Sequence, residues 1–470
     1  MKLSGLSKPC QKKNGFTRLF VMSCLSFFLV FCSNTIPERR RVRSKEDMEL
    51  KSRDNPVVLK LDSPEFHNIF TQEVIDLKKL FDKYQHDIRI AGGAVRDLLM
   101  GLQPKDLDFA TPATPQQMKD MFTAENIRLI NMSGEKHGTI TPRINDKENF
   151  EVTTLRVDII TDGRHAEVEF TTDWKLDANR RDLTINSMFL GFDGSVYDYF
   201  YGYDDLKHRR VAFVGDADVR IKEDYLRIMR YFRFYGRIAE KPDNHERETL
   251  EIIRNNADGL QNISGERIWM ELKKILQGSF SGALLKTILD VGIGKHIGLS
   301  LEPNIEELDR VLIRGRHLGL HPMSYLAALL RDMDEVTVLQ RRLKFSGYDR
   351  EMLYYIVEHR ENKEGPRPLL PYEKLVLNTK IKQKDAVDYV REVLKYRGEE
   401  KLLEEFNKWE IPRFPMSGKI LKDNGVPPGK MYGPIISKLK DIWIENNYMQ
   451  TAEDLAKLIP GIIDKIDMRK

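Results

Sequence analysis

Cysteine is almost absent from this 470-residue chain. The three cysteines, Cys10, Cys24 and Cys32, all lie within the first 32 residues. This distribution excludes a disulfide framework, a cysteine-ligated metal centre and a thiol nucleophile from the rest of the protein. The ten histidines form no HExxH motif and no pair at metal-ligand spacing. We therefore expect the chemistry to depend on carboxylates and arginines, with or without a bound metal ion.

Long hydrophobic runs are also lacking. The apolar run Leu19–Cys32 has only 14 residues, fewer than the ~20 that a membrane-spanning helix needs. Residues 1–37 carry five basic residues and no acidic one. This pattern fits a mitochondrial presequence or a secretory signal, with a membrane anchor as a lesser alternative. We predict that residues 1–59 are a targeting extension, cleaved or disordered, and that Met48 is an alternative start for a form without it.

The body of the chain has little net charge. Residues 1–59 contain 12 Lys or Arg and five Asp or Glu, whereas the remaining residues contain 64 and 67. The whole-chain charge of +4 therefore comes from the extension, and the body has a net charge of −3. Any affinity of the body for a polyanion must come from local basic patches.

Helices and strands are mixed in residues 60–213. A helix is predicted over Ser63–Gln85, entered through a Ser-Pro capping signal, and another over Ala94–Met100. A short strand at Ile88–Ala91 leads into Gly92-Gly93. Further strands are predicted from alternation and β-branching at Leu107–Ala110, Ile127–Asn131, Thr139–Arg143, Phe150–Leu155 and Glu167–Phe170.

Strand signals end at about residue 215, and helical periodicity replaces them. Helices are predicted at Val219–Ile238, Gly265–Gln277, Ile305–Ile313, Ser324–Arg331, Arg350–Arg360 and Lys384–Tyr396. The fold class is therefore α+β, with a small mixed head at residues 60–213 and an elongated helical remainder. We divide the remainder into a neck (214–277), a body (278–370) and a tail (371–470), with a linker from Gly365 to Pro371.

Two local patterns in the head suggest phosphate and metal chemistry. Gly92-Gly93 lies between a strand and a helix, where backbone N–H groups can meet a phosphate, and Arg96 follows in the first helical turn. Asp106 and Asp108 would face the same side of a strand, and two adjacent carboxylates suit a Mg²⁺ ion that also binds substrate phosphates. Each pattern alone has an ordinary structural explanation. Together they match the needs of nucleotidyl transfer.

Three segments extend these patterns into a family resemblance. Ile88–Thr111 (IRIAGGAVRDLLMGLQPKDLDFAT), Arg180–Met188 (RRDLTINSM) and Glu223–Arg237 (EDYLRIMRYFRFYGR) resemble signature motifs of the class II tRNA nucleotidyltransferases. These are the CCA-adding enzymes, and bacterial poly(A) polymerases share the motifs. The order and spacing resemble most closely the animal mitochondrial and cytosolic form.

The resemblance implies a role for each motif. Asp106 and Asp108 would bind Mg²⁺ in a two-metal mechanism, with Glu151 as a third catalytic carboxylate. Asp182 and Asn186, predicted one helical turn apart, would contact the ribose 2′-hydroxyl. The implied nucleotide-binding residues are Gly93, Arg96, Arg164, Arg181, Asp182, Asn186, Asp224, Arg227, Arg230 and Arg233.

Asp224 and Arg227 also suit base selection by hydrogen-bond pattern. They are predicted on one polar stripe with Arg230, which would otherwise be a solvated helix face. Cytosine and adenine both present an amino donor beside a ring-nitrogen acceptor, which a carboxylate and a guanidinium complement. Guanine and uracil present the reverse order and would be rejected.

The expected activity is template-independent addition of C-C-A to the 3′ end of tRNA from CTP and ATP, with release of pyrophosphate. The alternatives are an RNA 3′-adenylating enzyme like a poly(A) polymerase, an enzyme adding only C or only A, and a catalytically silent tRNA-binding protein. The expected partners are Mg²⁺, CTP, ATP and the acceptor and T-arm region of tRNA, the latter bound by the tail. We expect a monomer or homodimer of the mitochondrial matrix, with no stable membrane association and with a cytosolic or nuclear pool from the downstream start.

Overall fold

The computed structural model describes residues 51–130, 132–161, 166–361 and 365–467. Across these ranges, no helix combines the length and the apolar character that crossing a bilayer requires. Residues 1–50 of the predicted extension lie outside the described residues, and so does Arg164. Residues 51–59 are described, and Val57–Lys60 pairs with Ser195–Tyr197, so the end of the predicted extension belongs to the sheet of the head.

The strands are confined to the first part of the described chain. They are β1 Val57–Lys60, β2 Arg89–Ala91, β3 Asp108–Thr111, β4 Thr139–Ile140, β5 Arg143–Ile144, β6 Glu148–Asn149, β7 Glu151–Thr154, β8 Arg156–Thr161, β9 Ala166–Phe170, β10 Phe189–Leu190 and β11 Ser195–Tyr197. Seven of them form a mixed sheet in the order β1-β11-β10-β2-β3-β7-β4. The pairs β5–β6 and β8–β9 are separate antiparallel hairpins.

Helices make up most of the rest of the chain. They are α1 Pro64–Asn68, α2 Gln72–Lys83, α3 Gly93–Leu99, α4 Pro115–Ala124, α5 Trp174–Asn179, α6 Gly202–Lys207, α7 Ala217–Glu223, α8 Leu226–Ile238, α9 Arg247–Asn255, α10 Gly265–Gln277, α11 Ser281–Asp290, α12 Ile305–Arg314, α13 Pro322–Leu329, α14 Met333–Leu343, α15 Gly347–His359, α16 Leu370–Leu377, α17 Gln383–Arg397, α18 Glu400–Lys408, α19 Gly418–Asp423, α20 Tyr432–Glu445, α21 Ala452–Ala456 and α22 Ile459–Asp467. The α+β fold with a mixed head and a helical remainder is confirmed.

Three hydrophobic cores support these elements. The largest runs from Phe66 in the head to Phe406 in α18, and a second joins Leu377 to helices α19–α22 of the tail. The smallest lies in the head and includes Ala91 of β2, Ala110 of β3 and Phe189 of β10. Because the largest core is continuous through the head, neck and body, the divisions at residues 213 and 277 do not coincide with separate cores. The domain boundaries therefore stay predictions.

The predicted helix Ser63–Gln85 is two helices. α1 ends at Asn68, and α2 begins after Thr71, whose side-chain oxygen accepts a hydrogen bond from the Val74 N–H. An N-cap side chain satisfies a backbone donor that would otherwise lack a partner, so Thr71 favours a new helix start at this point.

Other secondary-structure predictions for the head also need correction. Residues 127–130 form no strand and make only an isolated bridge between Leu129 and Pro142. Strand β8 was not predicted, because its sequence mixes charged residues with the β-branched ones. Pro142 separates β4 from β5, since proline has no backbone N–H for a ladder hydrogen bond. The predicted linker extends too far, because Pro371 already lies in the first turn of α16.

Candidate active site

The turn between β2 and α3 forms one wall of a large cavity. Gly92 has φ +66°, in the left-handed region that favours glycine, and a Cβ there would lie 3.1 Å from the Arg181 Nη1 atom. A Cβ at Gly93, the first residue of α3, would lie 3.6 Å from the Arg96 Nη2 atom. Because a side chain at either glycine would occupy the space before a guanidinium group, the glycines keep this wall accessible to a phosphate.

Carboxylates lie close together where the neighbouring strands β3 and β7 begin. Asp108 begins β3 and Glu151 begins β7, and the parallel register places these two residues opposite each other. Partial desolvation of the Asp108 carboxylate raises its pKa, and the negative charges of Glu151 and Asp106 raise it further, whereas Arg181 lowers it. A bound cation would relieve the repulsion among the carboxylates.

Asp106 does not share a strand with Asp108. Strand β3 begins only at Asp108, and Asp106 lies in the bend before it. The prediction of alternate positions on one strand is therefore wrong, because β2 and β7 supply pairing partners only from Asp108 onward. Both side chains nevertheless line the same cavity.

The carboxylates fit a Mg²⁺ ion that shares its coordination with a substrate. Within the described ranges, no group of three or more His, Cys, Asp or Glu side chains is gathered closely enough to hold a metal ion. Mg²⁺ in phosphoryl-transfer sites needs only one or two carboxylates, because water and substrate phosphates complete its coordination. The repulsion among the carboxylates at Asp108 favours a bound cation, and the wall without side chains at Gly92-Gly93 leaves space for the substrate phosphates.

The cavity has a volume of about 1010 Å³ and collects nearly all the predicted site residues. Those that line it are Gly93, Arg96, Asp106, Asp108, Glu151, Arg181, Asp182, Asn186, Asp224, Arg227, Arg230 and Arg233. Arg164 lies outside the described residues, so its predicted role is not addressed. The head motifs and the neck helix α8 thus face one space, although more than 100 residues separate Gly93 from Arg233 in sequence.

Four predicted residues form a continuous polar chain along the cavity. Arg96 Nη1 donates to Asn186 Oδ1 at 2.5 Å, and Arg230 Nε donates to Asp182 Oδ2 at 2.6 Å. Asn186 Nδ2 closes the chain by donating to Asp182 Oδ1 at 3.4 Å. Burial is the largest single influence and would raise the pKa of Asp182, but the charge and hydrogen bond of Arg230, the Leu183 N–H and the charge of Arg227 together lower it. Asp182 is therefore an ionised acceptor.

Asp182 and Asn186 do not lie on an α-helix. The chain forms only a short 3-10 turn at Thr184–Asn186, so the predicted helical turn is wrong. Leu183 instead pairs with Phe213 in an isolated bridge, which extends the backbone before the turn. The side chains of Asp182 and Asn186 therefore meet because of the 3-10 turn and not because of α-helical spacing.

Asp224 lies in a break between two helices. α7 ends at Glu223, Asp224 has extended backbone angles (φ −153°, ψ 104°), and α8 begins at Leu226. The predicted continuous helix Val219–Ile238, with one polar stripe through Asp224, is therefore wrong. The Asp224 carboxylate accepts the Leu226 N–H at 3.1 Å, a helix-capping contact that accounts for the new start.

The two proposed base-contacting residues are held by different partners. Asp224 Oδ2 accepts from Arg267 Nη2 at 2.8 Å. Arg227 Nη1 donates to the Glu223 carboxylate and to the Arg220 carbonyl, and Nη2 donates to the Arg180 carbonyl. Among the described contacts, the Nε–H of Arg227 and one Nη2–H have no acceptor, so the guanidinium keeps donors for a ligand.

Sequence reasoning missed the residues that hold the predicted ones in place. Asp97 accepts from both Arg96 and Arg237, and Glu271 accepts from Arg233. Buried Asp177 binds Arg181 and Arg180 together, as bonds from Arg181 Nη2 at 2.9 Å and Arg180 Nε at 2.8 Å show. One signal was available. Arg267 and Glu271 are four residues apart, so they share a face of the predicted helix Gly265–Gln277.

Comparison with known proteins gives matches to two family models and to a solved structure. Residues 88–212 match the family model described as the poly A polymerase head domain, and residues 245–304 match the model described as the probable RNA and SrmB- binding site of polymerase A. The fold is similar to that of the Bacillus stearothermophilus CCA-adding enzyme crystallised with CTP. The TM-score is 0.66 at 24% identity, covering 87% of this chain and 100% of that one.

Full-length relatives are similar at much higher identity. The mitochondrial CCA tRNA nucleotidyltransferase 1 of Mus musculus is 51% identical over 405 residues, which cover 85% of this chain and 93% of that protein. The Homo sapiens protein of the same name is 50% identical over 405 residues, with the same coverage. With this similarity along most of its length, the chain belongs to the class II CCA tRNA nucleotidyltransferases.

Proposed function

We propose that this protein adds C, C and A to the 3′ end of tRNA, using CTP and ATP and releasing pyrophosphate. The observation that carries the proposal is the single cavity in which Asp106, Asp108 and Glu151 face the Asp224 and Arg227 side chains. Nucleotidyl transfer needs carboxylates near the reacting phosphate, and base selection without a template needs protein donors and acceptors near the base. The sequence identity of 51% and 50% to mitochondrial CCA tRNA nucleotidyltransferases supports the same activity.

Asp106 and Asp108 are the proposed ligands of Mg²⁺, with Glu151 beside them. When bound, the ion supplies positive charge that favours deprotonation of the attacking 3′-hydroxyl and neutralises charge on the phosphates. Without the ion, the like charges of the carboxylates repel one another. The raised pKa of Asp108 predicts that protons compete with the ion at acidic pH.

The arginine-rich wall is proposed to bind the triphosphate. Gly93 and Arg96 lie at the start of α3, where the helix N-terminus also favours an anion. Arg96 is only 4% exposed and already donates to Asp97 and Asn186. We therefore assign it two roles: its positive charge attracts the triphosphate, and its hydrogen bonds hold Asn186 in position. Arg181 lies in front of Gly92 and is the cation nearest to the open turn.

Sugar and base are proposed to be recognised by separate groups. Ionised Asp182, with the amide of Asn186, offers an acceptor and a donor for the ribose 2′-hydroxyl. Asp224 accepts from the amino group of cytosine or adenine, and the remaining N–H groups of Arg227 donate to the ring nitrogen. Guanine and uracil would place acceptor against acceptor and donor against donor, and the buried mismatch costs ~1–3 kcal/mol per polar group.

The proposed cellular setting follows the relatives, which are named as mitochondrial proteins. We propose the mitochondrial matrix for the form with the basic extension, and a cytosolic or nuclear pool for a form that starts at Met48. We further propose that residues 371–470 contact the tRNA, and that the protein acts as a monomer or a homodimer.

A purified protein offered tRNA that ends at the discriminator base tests the activity. We expect addition of two C residues with CTP alone, and of C-C-A with no further growth when CTP and ATP are both present. Asp108→Ala should abolish addition. Asp243→Asn, which alters an exposed neck carboxylate outside the cavity, should leave it unchanged. A long A-tail would instead support the poly(A) polymerase alternative, and binding without any addition would support a silent tRNA-binding protein.

A further inference from the structure

Two threonines of the nucleotide cavity are not used by the proposed reaction. Thr139 begins β4 and Thr153 lies in β7, and both line the cavity as half-buried residues. The antiparallel register places them opposite each other, and their Oγ1 atoms lie 3.0 Å apart. We call these two residues the threonine pair.

The threonine pair can both donate and accept a hydrogen bond. A hydroxyl group has one O–H donor and two lone pairs. One hydroxyl of the pair donates to the other, and the described contacts of the two side chains include no further hydrogen bond, so one donor and three lone pairs remain for a ligand. The pair has no charge of its own. It therefore suits a neutral group that is also both a donor and an acceptor, such as a hydroxyl.

Contacts of the neighbouring residues hold the pair in place. The Arg156 guanidinium donates to the His137 carbonyl. The Thr154 N–H donates to the Gly138 carbonyl at 2.9 Å. Both residues that precede Thr139 are thus bound to the end of β7 and the start of β8. The position of the two hydroxyls relative to the catalytic carboxylates is therefore fixed by the backbone of the sheet.

The carboxylates lie between the threonine pair and the wall proposed to bind the triphosphate. Five strands of the sheet follow one another in the order β10-β2-β3-β7-β4, so the turn Gly92-Gly93 after β2 lies on one side of β3 and the pair on the other. Asn186 lies just before β10, and its carbonyl is close to Gly92. The groups proposed for the incoming nucleotide are therefore on the glycine side, and the pair is on the opposite side.

The direction of attack brings the RNA to the threonine side. In phosphoryl transfer the attacking and leaving oxygens are roughly in line on opposite sides of the phosphorus. Because pyrophosphate leaves towards the glycine turn, the 3′-hydroxyl must approach from β7 and β4. Glu151 and Thr153 face the same side of β7 and are two residues, or ~6.6 Å, apart along it. A ribose whose 3′-hydroxyl reaches the carboxylates therefore brings its 2′-hydroxyl, on the neighbouring carbon atom, within reach of the pair.

We propose that the threonine pair binds the 2′-hydroxyl of the last nucleotide of the RNA and so orients the neighbouring 3′-hydroxyl for attack. The inference rests on the proposed function, because it takes the RNA 3′ end as the attacking group. A terminal 2′-deoxynucleotide offers the pair neither a donor nor an acceptor at this position. The pair thus selects RNA over DNA at the growing end, separately from the selection of the incoming ribose by Asp182 and Asn186.

The test measures kcat/KM for the first C addition to two tRNAs that end at the discriminator base, one with a terminal ribonucleotide and one with a terminal 2′-deoxynucleotide. The full-length variant combines Thr139→Val with Thr153→Val, which removes both hydroxyls and keeps β-branched side chains suited to strands. We expect the ratio of the two kcat/KM values to fall by roughly 2- to 12-fold relative to wild type, as for the loss of one neutral hydrogen bond. Any general effect of the 2′-hydroxyl on reactivity is the same in both proteins and cancels in this comparison. The ratio for CTP over dCTP, which is assigned to Asp182, should not change.

Two further variants separate hydrogen bonding from a structural effect. Thr153→Ser, with Thr139 retained, keeps both hydroxyls and should keep the wild-type ratio between the two tRNAs. Thr123→Val combined with Thr172→Val removes two hydroxyls from exposed positions of the head outside the cavity, and it should also keep that ratio.

An unchanged ratio in the variant without the threonine pair would overturn the inference, even if both rates fell together, because a purely structural effect acts equally on the two tRNAs. A change in the ratio for CTP over dCTP would instead place the pair beside the incoming nucleotide, and it would overturn the inference too. The proposed function stands in both cases if wild-type protein adds C-C-A. If wild-type protein extends neither tRNA, the proposed function itself fails.

Discussion

Replacement of Asp224 by asparagine should change which bases are accepted. The Asp224 carboxylate has two neighbouring donors, Arg267 Nη2 at 2.8 Å and the Leu226 N–H at 3.1 Å. Asparagine has only one acceptor oxygen, and a guanidinium can only donate. The charge-assisted bond is the stronger one, so the amide oxygen should remain with Arg267. The amide NH₂ group then takes the position of Oδ1, where it can no longer accept the Leu226 N–H, and it presents donors to the base.

The size of the effect follows from one hydrogen bond to a charged group. Such a bond contributes about 1.5–3 kcal/mol, which is roughly a 10- to 150-fold change in kcat/KM. Asp224→Asn should therefore lower kcat/KM for CTP and ATP by one to two orders of magnitude. Use of UTP should rise, because its carbonyl oxygen at the equivalent ring position accepts from the new amide.

Single-turnover extension of tRNA with each nucleotide separately measures this change. The control is Asp243→Asn, an exposed neck carboxylate outside the cavity, which should leave the preference unchanged. A wild-type ratio of CTP to UTP incorporation in Asp224→Asn, with metal-dependent chemistry intact, would refute base selection by this side chain.

Three further outcomes follow from the described contacts. Asp108→Asn should abolish addition yet raise the Tm of metal-free protein at pH 7–8, because the raised pKa of Asp108 means that its ionised form destabilises the fold. The Tm difference should vanish as the pH falls below ~3.9, the pKa of Asp in the unfolded state. A lower Tm of the variant at pH 7–8 would contradict this reasoning. Asp182→Asn should reduce the preference for CTP over dCTP by about tenfold in kcat/KM, whereas an unchanged ratio would exclude Asp182 from ribose recognition. Gly259→Ala should lower the unfolding free energy by about 1–3 kcal/mol in chemical denaturation, because a Cβ there would overlap the Tyr225 ring; wild-type stability would show that Tyr225 can move without cost.

Much of the helical architecture was accessible from local periodicity. The predicted helix Gly265–Gln277 has the same bounds in the structure, and the one predicted at Lys384–Tyr396 differs by a single residue at each end. Long amphipathic helices are predictable because their apolar stripe repeats within a few turns and needs no distant partner to reveal it. The head was less accessible, since its strands have as few as two residues and depend on neighbours far along the chain.

The residue types of the site were also visible in the sequence, because phosphate, metal and base each require particular donors and acceptors. Their arrangement was not. Asp106 lies before its strand, and the break at Asp224 interrupts what periodicity alone presents as one helix. These positions depend on pairing with β7 and on contacts with Leu226 and Arg267.

Chemical identity is a property of single residues and can be read along the chain, whereas the distances between charges arise only when distant segments pack together. The supporting partners show this most clearly. Glu271 on α10 holds Arg233 on α8, and Asp97 on α3 joins its chain neighbour Arg96 to Arg237 on α8. No local pattern links Glu271 to Arg233 or Asp97 to Arg237. Electrostatic pairing falls steeply with separation in space and is indifferent to separation in sequence, so only the folded chain reveals which charge balances which.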